Sequence, residues 1–300
     1  MVYKSGFAAL IGRTNVGKST LLNVLIQEKI AITSDKPQTT RNTIQGILTG
    51  DDYQVIFIDT PGIHKPKHKL SEFMIESVKK TLTEVDLIIY MAEPDAEVGP
   101  GDKYIIENLK TITTPIILVI NKIDIAPYEV IDKTINEFKA QYNFKDIIPI
   151  SALKNKNIDL LKHTIISYLP DGPKYFPDDY ITDRPEKFIV AEIIREKILN
   201  YLEDEVPHGV YVEVNTMIER ENKDILNIEA FIYCEKESHK AIIIGKNGQM
   251  LRRIGSSARN ELESLFGQKI YLDLWVKVKK GWRDNLSVLR NFGYVIDKSS

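Results

Sequence analysis

The run Gly12-Arg13-Thr14-Asn15-Val16-Gly17-Lys18-Ser19 constrains this chain more than any other feature. It fits G-x-x-x-x-G-K-[ST], it follows the apolar stretch Gly6–Ile11, and it opens the helical pattern Lys18–Gln27. Strand, glycine-rich turn and helix in that order form a phosphate cradle. Backbone N–H groups of the loop and of the helix N-terminus, here Val16 to Thr20, point at phosphate oxygens. Lys18 brings a point charge to the β- and γ-phosphates, and the Ser19 hydroxyl is a ligand for Mg²⁺.

The residues around it predict one α/β domain. Strands are expected at Gly6–Ile11, Ile44–Leu48, Val55–Ile58, Leu87–Ala92, Ile116–Ile120 and Asp146–Ile150. Helices are expected at Lys18–Gln27, Leu70–Leu82, Lys103–Leu109, Tyr128–Gln141 and Ile158–Leu169. Gly50-Asp51-Asp52 is a tight turn that makes its two strands antiparallel. The rest reads as βαβ units on a mostly parallel sheet.

Further tetrapeptides name the base. Asn121-Lys122-Ile123-Asp124 follows the strand Ile116–Ile120, at the carboxyl end where open α/β sheets bind ligands. The Asp124 carboxylate can accept from guanine N1–H and the exocyclic amine, which adenine does not offer in that arrangement. Lys122 is expected along base and ribose. Ser151-Ala152-Leu153-Lys154 follows the last strand, and the Ala152 N–H is expected to meet guanine O6.

Two segments are expected to sense the γ-phosphate. In Asp59-Thr60-Pro61-Gly62, Asp59 would hold Mg²⁺ through water and the Gly62 N–H would face the phosphate. In Gln38-Thr39-Thr40-Arg41-Asn42, Thr40 is preferred over Thr39 as the Mg²⁺ ligand. Loss of the γ-phosphate releases both segments. Ile63 stands where Ras-like enzymes carry a water-orienting glutamine, so slow intrinsic hydrolysis and an external activator are expected. The catalytic set is therefore read as Asn15, Lys18, Thr40 and Gly62, with Ser19, Thr40 and Asp59 on the metal. Asn15 is the candidate seat for a K⁺ ion among the phosphates, as an asparagine is in related GTPases with this loop pattern; Arg13 and Arg41 could supply the charge instead but are read as facing solvent.

Composition changes after Leu169. Pro170-Asp171-Gly172-Pro173, Pro177-Asp178-Asp179 and Pro185 cannot continue a helix, so residues 1–170 read as one domain, 171–186 as a linker and 187–300 as a second domain. In the second, Phe188–Leu202 is helical by period, Gly209–Ile218, Asn227–Tyr233 and Ile270–Val278 alternate as strands, and Met250–Phe266 is a long helix with a break expected near Gly255. The run Ile242–Ile244 is read as the end of a strand. It leads through Gly245-Lys246-Asn247-Gly248 into a helix bearing Arg252, Arg253 and Arg259. That G-x-x-G loop, in a basic setting, is the arrangement of a prokaryotic-type α+β KH domain, which clamps about four single-stranded nucleotides. Ile243, Ile244 and Ile254 are expected to form a floor under the bases. Lys279, Lys280, Trp282 and Arg283 interleave charge and aromatic surface, as a further RNA contact would.

Charge agrees with this division. Lys236–Ser300 carries 13 Lys and Arg against 6 Asp and Glu, whereas the rest of the chain carries 27 against 36. A basic end on an acidic body suits a polyanionic partner. The single cysteine, Cys234, excludes a disulfide framework and points to a reducing compartment. No apolar stretch approaches the roughly 20 residues of a membrane span, and the start of the chain reads as free of a secretory signal. The five histidines share no ligand spacing.

Taken together the chain resembles the Era family of bacterial GTPases. The resemblance runs through GRTNVGKS at Gly12–Ser19, KPQTTRN at Lys36–Asn42, DTPGIHKP at Asp59–Pro66, NKID at Asn121–Asp124, SALK at Ser151–Lys154 and IIIGKNGQMLRRIG at Ile242–Gly255. It implies a GTP- and Mg²⁺-dependent switch that binds the 3′ end of small-subunit ribosomal RNA and assists maturation of the small ribosomal subunit, as a cytoplasmic monomer. Weak peripheral association with the inner face of the cell membrane is allowed for beside the cytoplasmic location. The alternatives are a tRNA-modifying GTPase, which would need an added folate or catalytic cysteine domain, and a nucleotide-controlled signalling or membrane-associated adaptor.

Overall fold

In the computed structural model, which describes residues 2–63, 66–95, 97–219 and 225–294, the chain divides into two compact units. The first comprises Met1–Lys67 and Ser71–Asp183, the second His68–Leu70 and Arg184–Ser300. His64 and Lys65 of the DTPGIHKP run and residues 295–300 of the basic end lie outside the described residues.

The first unit is built as β1 (Lys4–Gly12), α1 (Lys18–Ile26), β2 (Ile44–Thr49), β3 (Tyr53–Asp59), α2 (Lys69–Thr83, from Ser71 onward), β4 (Leu87–Ala92), α3 (Pro100–Leu109), β5 (Ile116–Ile120), α4 (Tyr128–Gln141), β6 (Ile147–Pro149) and α5 (Ile158–Tyr168). Its sheet has the order β2-β3-β1-β4-β5-β6, and only β2 runs antiparallel to its neighbour. Every residue of β4 and of β5 is buried. That is why both are unbroken apolar runs instead of alternating ones: parallel strands covered on both faces have no side for polar residues. Parallel order also brings the carboxyl ends of β1, β3, β5 and β6 to one edge, and each end carries one of the motifs read above.

Residues 171–183 do not hang free as a linker. They fold onto the first unit: Asp171 bridges Lys4 at the start of β1, and the far end pairs with the edge strand β2 through the bridge Gly46↔Thr182 and the bond from Ile47 N–H to the Ile181 carbonyl at 2.9 Å. Gln54 holds the middle of the stretch: its Oε1 accepts from the N–H groups of Tyr175 and Phe176, and its Nε2 donates to the Phe176 carbonyl. An edge strand left bare is a liability, and this segment covers it.

The second unit contains α6 (Glu186–Tyr201), β7 (Tyr211–Glu219), β8 (Ile225–Cys234), α7 (Glu237–Ile244), α8 (Gln249–Phe266), β9 (Lys269–Val278) and α9 (Leu286–Asn291). The sheet order is β7-β8-β9, antiparallel then parallel. β8 alternates buried and half-buried residues along its whole length, so one face meets the helices. Two expectations from the sequence fail in this unit. The run Ile242–Ile244 is the last turn of α7 and not a strand. Ile243 is fully buried while Ile242 is half exposed, which is helical and not planar sorting; a short apolar run cannot tell the two apart. Helix α8 also continues through Gly255 without a break. A Cβ at 255 would stand 3.3 Å from Leu274 Cδ1, so the glycine lets helix and strand approach closely.

Candidate functional site

The carboxyl edge of the first sheet encloses a cavity of 740 Å³, ample for a nucleotide. Its floor is the turn between β1 and α1, with Asn15, Gly17, Lys18, Ser19 and Thr20 on its lining. Lys18 is buried, and its ammonium donates to the carbonyls of Arg13 at 2.8 Å and Gly12 at 3.3 Å. Burial pulls the Lys18 pKa down to about 8, against the opposing pull of Asp59.

Beside Lys18 three oxygen ligands converge. Ser19 Oγ donates to Asp59 Oδ2 at 2.6 Å, Thr40 Oγ1 lies 2.9 Å from Ser19 Oγ, and Thr40 donates to the same carboxylate at 3.3 Å. Asp59 is fully buried, and its Oδ1 meets no hydrogen-bond donor in good geometry. Burial raises the Asp59 pKa, opposed first by Lys18 and then by the two hydroxyls. A buried carboxylate and two hydroxyls are a hard-oxygen set suited to Mg²⁺, which keeps several waters and takes few protein ligands. Thr40, not Thr39, occupies this position: Thr39 Oγ1 donates to the Lys36 carbonyl at 2.6 Å.

Gly62 docks on the phosphate loop. A Cβ there would meet Thr14 Cα at 2.7 Å and Thr14 N at 2.8 Å, so only glycine permits the approach. The Ile63 N–H donates to the Gly12 carbonyl at 3.1 Å, and its side chain packs against the core. It has no group with which to orient a water. Asn15, at φ 65°, donates its amide to the Asp35 carbonyl. The two arginines read as solvent-facing are not. Arg41 is 1% exposed, and Arg13 pairs with Asp95 and Asp102.

At the base-reading end, Ser151 Oγ donates to Asp124 Oδ1 at 2.6 Å, and this bond holds the exposed carboxylate below its usual pKa. Lys122 pairs with Glu93. Leu153 is 76% exposed and lines the cavity. Asn121, to which its motif alone assigned no separate task, ties loops together. Its side chain donates to the Val16 carbonyl and accepts the Ala152 N–H at 3.0 Å. That N–H, expected on guanine O6, is thus already engaged by Asn121.

The second unit has its own groove of 300 Å³, between α8 and β9. Gly248, Arg252, Gly255 and Arg259 line it from the loop and helix, and Leu272 and Leu274 from the strand. Lys246 and Asn247 are exposed in the turn ahead of α8, and Gly245 and Gly248 both have positive φ. The apolar floor is Leu251, Leu272 and Leu274, since Ile243 and Ile254 are wholly inside the core. Arg259 lines the groove in place of Arg253, whose guanidinium lies 4.3 Å from the Tyr201 ring centroid. A helical phase of about 100° per residue separates 252, 255 and 259 from 253. Lys279 and Lys280 are exposed as read, but Trp282 is not an RNA contact. It is fully buried, its Nε1 donates to the Gly209 carbonyl at 2.9 Å, and it packs on Tyr211, Phe292 and Tyr294. Arg283 pairs with Glu235. Cys234 is buried and free, its thiol pushed up to about 11 by burial, in keeping with inert packing.

Comparison with known proteins decides the class. Residues 7–122 match a family described as 50S ribosome-binding GTPase, and residues 205–283 match the KH domain. The chain is 70% identical to the GTPase Era of Thermoanaerobacter sp. (strain X514) over 300 residues, all of this chain and 99% of that one. The chain belongs to the Era family of GTPases. Two solved structures extend the match. A point variant of Aquifex aeolicus Era bound to GDP and AlF4⁻, and an Era complex with MgGDPNP and nucleotides 1506–1542 of 16S ribosomal RNA, each share 42% identity with it at a TM-score of 0.94, covering 98% of this chain and 100% of theirs. As an Era-family GTPase, the chain hydrolyses GTP to GDP and phosphate. Among the described residues no helix is long and apolar enough to cross a membrane.

Proposed function

We propose that this GTPase is a switch for assembly of the small ribosomal subunit, gripping the 3′ end of small-subunit ribosomal RNA with its second unit. The carrying observation is the pairing of Ser19, Thr40 and Asp59 in one unit with a G-x-x-G groove flanked by Arg252 and Arg259 in the other. The Era complex with MgGDPNP and 16S ribosomal RNA supports that reading, since the relative carries both ligand classes in one chain.

Each group has a task in hydrolysis. Lys18 and the N–H groups at the start of α1 neutralise the phosphates as charge spreads over the γ-oxygens. Ser19, Thr40 and Asp59 would hold Mg²⁺, which supplies positive charge to the β- and γ-oxygens. Thr40 and Gly62 come from the two segments that depend on the γ-phosphate, so its loss removes their shared contact. Asp124 selects guanine, positioned by Ser151.

Ile63 leaves the attacking water without a side-chain guide. Activation is therefore assigned to K⁺ and to RNA. Asn15 lies in the phosphate loop on the lining of the cavity, and its side-chain oxygen is the atom it would offer K⁺. The protein is read as a cytoplasmic monomer, and its one thiol, buried and unbridged, suits a reducing compartment. Multiple-turnover hydrolysis of GTP and ATP, with and without an RNA of the small-subunit 3′ end, tests the proposal. GTP-selective turnover, raised by that RNA and by K⁺ over Na⁺, is expected. Turnover indifferent to the RNA would remove the assembly role, and indifference to the cation would remove K⁺.

A further inference from the structure

Arg13, the second residue of the phosphate loop, does not face phosphate. Its guanidinium turns toward the segment between β4 and α3. Nη2 donates to Asp95 Oδ2 at 2.6 Å, and Nε stands 3.0 Å from Asp102 Oδ2. Asp102 is 2% exposed and lies in the first turn of α3. Its other oxygen accepts the hydroxyl of Tyr90 at 2.7 Å, and Tyr90 is fully buried in β4, edge-on to Phe138 of α4. The Asp95 carbonyl in turn accepts from Thr134 of α4 at 2.8 Å. The stem of the arginine is also fitted: a Cβ at Gly101 would stand 3.0 Å from Arg13 Cδ.

A carboxylate so deeply buried is costly unless paired and hydrogen-bonded, and each oxygen of Asp102 has a partner. Burial raises the Asp102 pKa, against the Tyr90 hydroxyl and the Arg13 cation. Through Tyr90 the anchor reaches β4, an interior strand of the sheet. Its other end is the loop itself, because the Arg13 carbonyl accepts Lys18 Nζ at 2.8 Å. The peptide that places the catalytic ammonium is fastened by its own side chain to a buried acid.

We propose that Arg13 is a positioning residue whose pairing with Asp102 and Asp95 preorganises the phosphate loop and Lys18 for guanine nucleotides. The proposal rests on the GTPase reading and adds a role for residues that never touch the nucleotide. Fixing the loop before binding favours GDP and GTP alike, so the anchor acts on affinity, whereas an arginine that touched the transferring phosphoryl group would act on kcat.

The test uses the full chain and fluorescent GDP and GTP analogues, with R13A, R13K, D102N and R13A/D102N. R13A is expected to weaken both nucleotides by about tenfold through faster dissociation, with kcat at saturating GTP within about threefold of wild type. R13K, a cation without the fork that spans two carboxylates, is expected to recover part of the loss. D102N should match R13A, and the double variant should be no worse than either single one, because a shared interaction can be removed only once. R13K and D102N keep the buried site filled if R13A fails to fold. A fall in kcat at unchanged GDP affinity would overturn the proposal, as would effects of R13A and D102N that multiply. ATP with the wild-type chain separates the two layers: ATP binding as tight as GTP sinks the guanine-nucleotide reading, while unchanged affinities in R13A and R13K with GTP preference intact sink only the anchor.

Discussion

Asn121 donates from its side-chain nitrogen to the Val16 carbonyl at 2.8 Å, tying the base-reading loop to the phosphate loop. Its Oδ1 accepts the Ala152 N–H, so a single side chain, 2% exposed, closes three loops into one site. Asn121→Ala removes both bonds and leaves a buried carbonyl and a buried N–H without partners. Each such group costs about 1–3 kcal/mol. The variant is expected to lose about 2–4 kcal/mol of unfolding free energy in urea, and to bind GDP about 10- to 100-fold more weakly by fluorescence titration. Wild-type affinity in a folded variant would refute the bridging role.

Asp124→Asn keeps size and shape but replaces one carboxylate oxygen with an N–H₂ donor. Guanine then meets a donor facing its own N–H groups. Xanthine, with a carbonyl in place of the exocyclic amine, meets a complementary one. The variant is expected to lose about 2–4 kcal/mol of GTP binding and to prefer xanthosine triphosphate, because a site built to bond a group rejects an analogue that leaves its polar atoms unpaired. Competition between the two nucleotides for one fluorescent probe reads this directly; unchanged GTP preference would place guanine recognition elsewhere.

Local rules reveal much of this molecule and long-range bonds explain what they miss. The phosphate loop and the buried strands β4 and β5 are legible because a turn motif and an unbroken apolar run are local signals. In the sequence, Thr40 is separable from Thr39 only by its place in the segment; the structure distinguishes them by a carboxylate 19 residues away. Trp282 sits in a basic, aromatic stretch that looks like an RNA contact, yet its indole bonds to the Gly209 carbonyl 73 residues earlier. The stretch 171–183 is full of proline and aspartate, and its docking depends on Gln54, which no local pattern announces. Arg259 is readable as the partner of Arg252 from helical phase alone, since 252, 255, 256 and 259 share a face. The Arg13 anchor needs the fold, because its carboxylates lie 82 residues and more from it in sequence.

Lys18 predicts a dependence on pH. Burial lowers its pKa to about 8 from the ordinary lysine value of 10.5, so folding releases its proton between those values. The unfolded chain holds more protons there, and the contribution of Lys18 to stability becomes less unfavourable as pH rises from about 8 to about 10.5. A bound polyphosphate reverses the preference by stabilising the ammonium. Nucleotide binding should therefore take up a proton above about pH 8, and affinity should fall by up to about tenfold per pH unit. Calorimetry of GDP binding at about pH 9, in two buffers of different ionisation enthalpy, should show that uptake. Identical heats in both buffers would show that Lys18 is already charged before the nucleotide arrives.

The RNA groove makes its own prediction through salt. Arg252 and Arg259 line it, whereas Arg253 lies over Tyr201 on another face of the same helix. Each arginine that neutralises a phosphate releases a counterion from single-stranded RNA, worth about 0.7 in the slope of log K against log salt. Arg252→Ala and Arg259→Ala are each expected to weaken binding of a short RNA from the small-subunit 3′ end and to flatten that slope by about this amount. Arg253→Ala should leave the slope unaltered, although it removes a contact worth about 0.5–1 kcal/mol to the fold. Fluorescence anisotropy between about 50 and 200 mM KCl measures all three. A slope lowered by Arg253→Ala and untouched by the other two would move the RNA path off the α8–β9 groove and onto the opposite side of the helix.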